Sequence, residues 1–108
     1  MFAGVLMIFM LTSCKDLFLI DIKYEVTGTA NSVDISYQNK FGSIETEKDV
    51  TLPWSYEFKV QENQYLVLSA TKNVIEGSVK VTIYKKGDEW KTRTKVDDFA
   101  TATVTGST

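Results

Sequence analysis

From Ile22 onward, apolar and polar residues alternate with a period of two, and this restricts the fold more than anything else in the chain. Ile22, Tyr24 and Val26 alternate with Lys23, Glu25 and Thr27, and Val33, Ile35 and Tyr37 with Ser32, Asp34 and Ser36. Leu52, Trp54, Tyr56, Phe58 and Val60 alternate with Ser55, Glu57, Lys59 and Gln61, and Val79, Val81 and Ile83 with Lys80 and Thr82. Successive strand residues point to opposite faces of a sheet, so each run has one buried and one wet face. Weaker runs cover Ile44 to Val50, Tyr65 to Lys72, Glu89 to Val96 and Phe99 to Thr105. Turn-forming residues separate the runs, and Lys86-Gly87-Asp88 between two β-rich segments predicts a tight hairpin. No apolar stripe of helical period survives three turns after residue 21. The pattern predicts an all-β domain of seven or eight antiparallel strands, closed as a sandwich or small barrel.

Pro53 lacks an N–H and belongs at a strand start or on an edge, where it fixes the entry into the Trp54 strand. Trp54, Phe58, Trp90 and several tyrosines are expected to form the main core, packed between sheets. Glu45, Glu47 and Asp49 alternate, which predicts three carboxylates on one strand face. Oxygen ligands suit calcium, but the run lacks the glycine-containing loop of an EF-hand and reads better as a solvated face. Lys91, Arg93 and Lys95 also share a strand face. They are a candidate surface for a partner, lipid headgroups or another polyanionic ligand, or else a face that pairs with the acidic strand or guards a sheet edge.

Composition matters here through what is missing. The chain has no histidine and one cysteine. It therefore lacks the commonest general base and transition-metal ligand, and it cannot form an internal disulfide, a thiolate zinc cluster or a Ser-His-Asp or Cys-His device. The expectation is a non-enzymatic protein without a cofactor. A net charge of −2 is near neutral and argues neither for nucleic acid nor for strong electrostatic steering, and no nucleic-acid partner is expected.

The lone cysteine has a specific setting. Met1 to Leu11 is uncharged and apolar, then Thr12, Ser13, Cys14, Lys15 and Asp16 follow. A membrane-spanning helix needs about 20 apolar residues, so this run has the length of a signal-peptide core instead. Leu11-Thr12-Ser13-Cys14 resembles the lipobox of bacterial lipoproteins. In that pattern Leu11, Thr12 and Ser13 are read by the signal peptidase, and the small side chains let an extended backbone enter its cleft. The Cys14 sulfur is the nucleophile that takes up a diacylglycerol. Two or three acyl chains, at about 0.8 kcal/mol per buried methylene, give a stable covalent anchor in membrane lipid. The division expected is a signal peptide over 1–13, an anchor and short linker over 14–21, and a β-sandwich over 22–108. Leu17, Phe18, Leu19 and Ile20 read as part of the first strand or as residues lying against headgroups. At about 3.3–3.6 Å per residue, so short a linker holds the domain close to the bilayer.

Lys23-Tyr24-Glu25-Val26-Thr27-Gly28, Ser32-Val33-Asp34-Ile35-Ser36-Tyr37 and Val50-Thr51-Leu52-Pro53-Trp54-Ser55 occur in that order. Together they resemble the extracytoplasmic domain of the MmpS family, small membrane proteins that accompany large lipid and siderophore exporters. The resemblance covers most of Lys23 to Phe58. It implies an immunoglobulin-like β-sandwich facing away from the cytoplasm, and an accessory role beside a transporter. The chain departs from the family in resembling a lipid-anchored rather than helix-anchored protein, and in lacking the paired cysteines of the family's later half. No catalytic residues come with the resemblance. The function expected is a lipoprotein of the cell membrane or outer membrane, facing the periplasm or exterior, that binds an envelope protein such as an exporter. The alternatives are a carrier of a small lipid or glycan, and a surface structural or adhesive module.

Overall fold

A computed structural model of the chain describes residues 19–108. Eight strands follow one another: β1 Ile20–Thr27, β2 Val33–Gln38, β3 Ile44–Val50, β4 Trp54–Val60, β5 Tyr65–Lys72, β6 Val79–Lys85, β7 Asp88–Lys95 and β8 Thr101–Ser107. They form two four-stranded antiparallel sheets, in the orders β4-β1-β6-β7 and β3-β2-β5-β8. The molecule is an immunoglobulin-like β-sandwich: the sandwich is one of the two closures the alternation predicts, and the immunoglobulin-like form is what the resemblance implies. β1 begins at Ile20, inside the stretch 14–21 assigned to the linker, and pairs Ile20 with Val60.

The inward residues of both sheets make one core. Ile22, Tyr24 and Val26 of β1 face Val33 and Ile35 of β2 and Leu66 and Leu68 of β5, all buried. Removing such side chains from water contributes roughly 1.5–3 kcal/mol each. Aliphatic residues dominate this core, with Tyr24, Tyr37 and Phe58 as its buried aromatics. Trp54, Tyr56 and Trp90, expected at its centre, are only half-buried against it. The reason is position: Trp54 and Tyr56 lie on β4 and Trp90 on β7, the two edge strands of their sheet. The Trp90 ring lies over Gly106, where there is no Cβ to obstruct it. Outside, sheet β3-β2-β5-β8 carries hydroxyl pairs across its strands: Ser36 with Thr46 at 3.1 Å, Ser69 with Thr103 at 3.0 Å and Thr71 with Thr101 at 2.7 Å.

The pairing registers sort every loop to one of two poles. Residues 39–43, 61–64 and 86–87 lie at the pole where β1 begins, the proximal pole, together with Thr108. Residues 28–32, 51–53, 73–78 and 96–100 lie at the opposite, distal pole. The predicted hairpin is present: Lys86 and Gly87 both have positive φ, at 55° and 85°, which is the backbone of a two-residue primed turn between Lys85 and Asp88.

Candidate functional site

The distal pole is built by close approach of loops from both sheets. At Gly28, φ is 140°, and a Cβ would fall on the carbonyl oxygen of Ser78. At Gly77, φ is 91°, and a Cβ would lie 2.7 Å from the Ala30 backbone. Only glycine permits both the dihedrals and the contacts. The loops 28–32 and 73–78 are then laced by main-chain bonds: Thr29 and Ala30 N–H donate to Ser78 O at 3.0 and 3.1 Å, and Asn73 N–H to Ser32 O at 3.0 Å.

A fully buried lysine ties in the remaining loop. Lys72 ends β5 on its inward face, paired with Val33. Its Nζ donates to three main-chain carbonyls, of Ile75 at 3.1 Å, Val96 at 3.0 Å and Asp97 at 3.0 Å. An ammonium has three protons, so all are used, and the cost of burying the charge is offset by charge-assisted bonds. One side chain thus fixes loop 73–78 against loop 96–100.

That knot holds apolar side chains outward. Ile75, Val96 and Phe99 are each more than half exposed. Phe99 sits at φ 52°, a left-handed conformation that is costly for a bulky residue. Beside it an open groove of about 700 Å³ is lined by Thr29, Asn31, Val74, Ile75, Glu76 and Phe99 among others. Glu76 lines the groove, and Asp97 and Asp98 precede Phe99 in loop 96–100, while Lys95 ends β7 next to Val96. Exposed apolar residues held on a fixed frame are the makings of a docking surface.

The residues singled out by sequence fall elsewhere. Leu11, Thr12, Ser13 and Cys14 lie outside the described residues. Lys91, Arg93 and Lys95 do share a face of β7, paired with Ile83, Val81 and Val79. Those partners point inward, but β7 is an edge strand, so the cations emerge along the rim of the sandwich. The Lys91 ammonium lies 5.3 Å from the centre of the Trp90 ring. Inward-facing charge on an edge is a known guard against strand addition.

The three carboxylates of β3 do not share a face. Glu45 and Glu47 pair with Tyr37 and Ile35, but the register then shifts, so that Lys48 and Asp49 both oppose Asp34. This β-bulge, with Asp49 at φ 54°, turns Asp49 away from the two glutamates. Asp49 N–H donates to Asp34 Oδ1 at 3.0 Å, and Asn73 Nδ2 donates to the same oxygen at 2.9 Å. The Asn73 amide first, then the Asp49 N–H, holds the Asp34 carboxyl below the usual carboxylate range. Among the described residues no group of three or more His, Cys, Asp or Glu side chains gathers to hold a metal.

Lys72, Ile75, Val96 and Phe99 are the residues that sequence reasoning missed. Lys72 continues the inward series Leu66, Leu68, Ala70, yet a terminal lysine reads as a strand end. Val96 and Phe99 read as strand termini flanking the Asp97-Asp98 turn. The available signal was apolar residues standing beside turn formers. Compared with protein-family models the chain matches none, and no curated protein is significantly similar to it.

Proposed function

We propose that the chain is a lipid-anchored extracytoplasmic lipoprotein whose sandwich is a non-enzymatic binding module, gripping an envelope protein with its distal pole. The observation that carries the reading is the Ile75–Val96–Phe99 cluster, held outward on the Lys72 carbonyl knot with Phe99 in a strained conformation. Strain retained at an exposed aromatic is characteristic of a functional contact rather than of packing. The partner segment this surface suits is apolar and basic, to match Glu76, Asp97 and Asp98 around the cluster. Support for an anchor comes from the Leu11-Thr12-Ser13-Cys14 sequence and the uncharged run before it. The MmpS-like segments favour an exporter as the partner. A lipid or glycan in the distal groove is the second reading, favoured by the Val74, Ile75 and Phe99 side chains that line it.

The anchor and the grip have separate tests. A clickable fatty acid labels the wild type and not Cys14→Ala; label kept by the alanine variant removes the anchor. A photo-crosslinking residue at position 99 of the intact lipoprotein, in cells, captures one envelope protein, and the same residue at position 103 does not. That adduct disappears with Ile75→Ser and Val96→Ser. Equal capture from both positions, or none together with unchanged export on deletion, removes the protein-binding role.

A further inference from the structure

A second exposed apolar patch lies at the other end of the molecule. The β2–β3 hairpin turns at Asn39-Lys40-Phe41-Gly42-Ser43, and the buried Asn39 side chain holds it. Its Oδ1 accepts from Phe41 N–H at 2.9 Å and Ser43 N–H at 3.1 Å, while Asn39 N–H donates to Ser43 O at 2.8 Å. Gln38 Nε2 adds a bond to Gly42 O at 3.1 Å. The turn is therefore stiff, yet Phe41 at its tip is 80% exposed. Ile44 pairs with Gln38 on the outer face of sheet β3-β2-β5-β8, and Tyr65 starts β5 on that same face, opposite Ser107. Both are more than half exposed. Gln38 and Gln64, the neighbours of these elements, both reach Gly42, so hairpin tip and strand starts adjoin.

We propose that Phe41, Ile44 and Tyr65 rest in the headgroup layer of the bilayer that carries the anchor, so that the domain is seated on the membrane at its proximal pole instead of swinging on a tether. The inference rests on the Cys14 anchor. Where the chain leads argues for lipid as the occupant. β1 begins at Ile20 of this same pole, and six residues at about 3.3–3.6 Å each bring Cys14 within about 20 Å of it. A pole held that near to headgroups meets them continually. The patch also has interfacial chemistry: an aromatic, an aliphatic and a tyrosine whose hydroxyl stays wet. The Lys40 ammonium, 5.1 Å from the centre of the Phe41 ring, can reach a phosphate. Charge contributes little else, because Lys40, Lys59, Lys85 and Lys86 are balanced at this pole by Asp21, Glu62, Asp88 and Glu89. Seating is thus by apolar insertion and is insensitive to salt.

The test uses the full-length lipoprotein in vesicles of phosphatidylethanolamine and phosphatidylglycerol at 3:1. Phe41→Cys and, as a distal control, Phe99→Cys are labelled with an environment-sensitive dye; the acylated Cys14 sulfur does not react. Doxyl-lipid quenchers are expected to reduce the dye emission at position 41 at least twofold more than at position 99, at low and at high salt. Adding Ile44→Ser and Tyr65→Ser removes that difference. Equal quenching at the two positions in acylated protein overturns the seating and leaves the anchor standing. The intact mass at Cys14 is read in parallel. Should the acyl mass be absent, the anchor reading fails, and the seating that rests on it is overturned with it. A photo-crosslink from position 41 in cells that yields a protein adduct and no lipid adduct also overturns it.

Discussion

At the scale of single residues, Phe99 and Lys72 bear opposite relations to stability. Phe99 is a bulky residue at φ 52° and more than half exposed, so it costs conformational energy that its partial burial offsets only in part. Phe99→Gly is expected to stabilise the domain by about 0.5–1 kcal/mol by relieving the left-handed backbone, net of glycine's greater freedom when unfolded. Urea unfolding measures this, and a loss of stability would mean that the ring packs in the fold. Lys72→Met keeps length and removes the ammonium from three buried carbonyls, and should cost about 1–3 kcal/mol. For a domain of this size that lowers Tm by about 4–8 °C per kcal/mol, readable by calorimetry. The lysine's inward parity was legible, because it continues the Leu66, Leu68, Ala70 series. What it binds was not, because its acceptors are carbonyls 24 and 25 residues away in another loop as well as one nearby. A main-chain acceptor leaves no trace in side-chain identity.

At the scale of elements, β3 shows how an edge strand protects itself. Its inward positions Glu45 and Glu47 carry charge beside Tyr37, and its bulge at Lys48 and Asp49 bends the strand. Both devices discourage a second chain from pairing there. Glu45→Val with Glu47→Val should leave a monomeric fold at low concentration and produce dimers or larger species at high concentration. Light scattering across a concentration series checks this, and a monomer throughout would assign the protection to the bulge alone. All eight strands were legible in the alternation, and β3 and β5 begin and end where the pattern places them. The bulge was not, since Asp49 keeps the alternation in sequence while the backbone breaks it in space. Nor was the lesser burial of Trp54 and Trp90, because alternation reports the face of a sheet and is silent about which strands are edges.

For the whole molecule, the two-pole arrangement follows from the order in which the chain crosses between sheets, which no local pattern encodes. The Ile75–Val96–Phe99 surface was invisible for that reason: its loops are far apart in sequence and meet only after crossing. Alkaline pH reads out the assembled sandwich as one unit. Burial, and then the charges of Glu45 and Glu47, push the Tyr37 hydroxyl up to about 12. Burial raises Tyr24 as well, and burial with the bond to Glu25 raises Tyr84. The unfolded chain releases these protons near pH 10 while the fold keeps them. Stability should therefore be unaffected by these groups below pH 10, and fall between about pH 10 and 12 by at most ~1.4 kcal/mol per pH unit for each of Tyr24 and Tyr37, with Tyr84 adding in the same direction. Tyr37→Phe should flatten the slope, and an unchanged slope would mean that Tyr37 titrates in the fold as it does in water.

The carbonyl knot also bears on how such a protein changes over generations. Lys72 reads the main chain of Ile75, Val96 and Asp97, never their side chains. Any residue at those three positions offers the same oxygen to the same ammonium. The geometry of the tip is inherited through one lysine and two glycines, while its chemical character is free to drift. A lineage could change what the tip presents by rewriting the side chains at positions 75, 96 and 97, without renegotiating the fold that displays them.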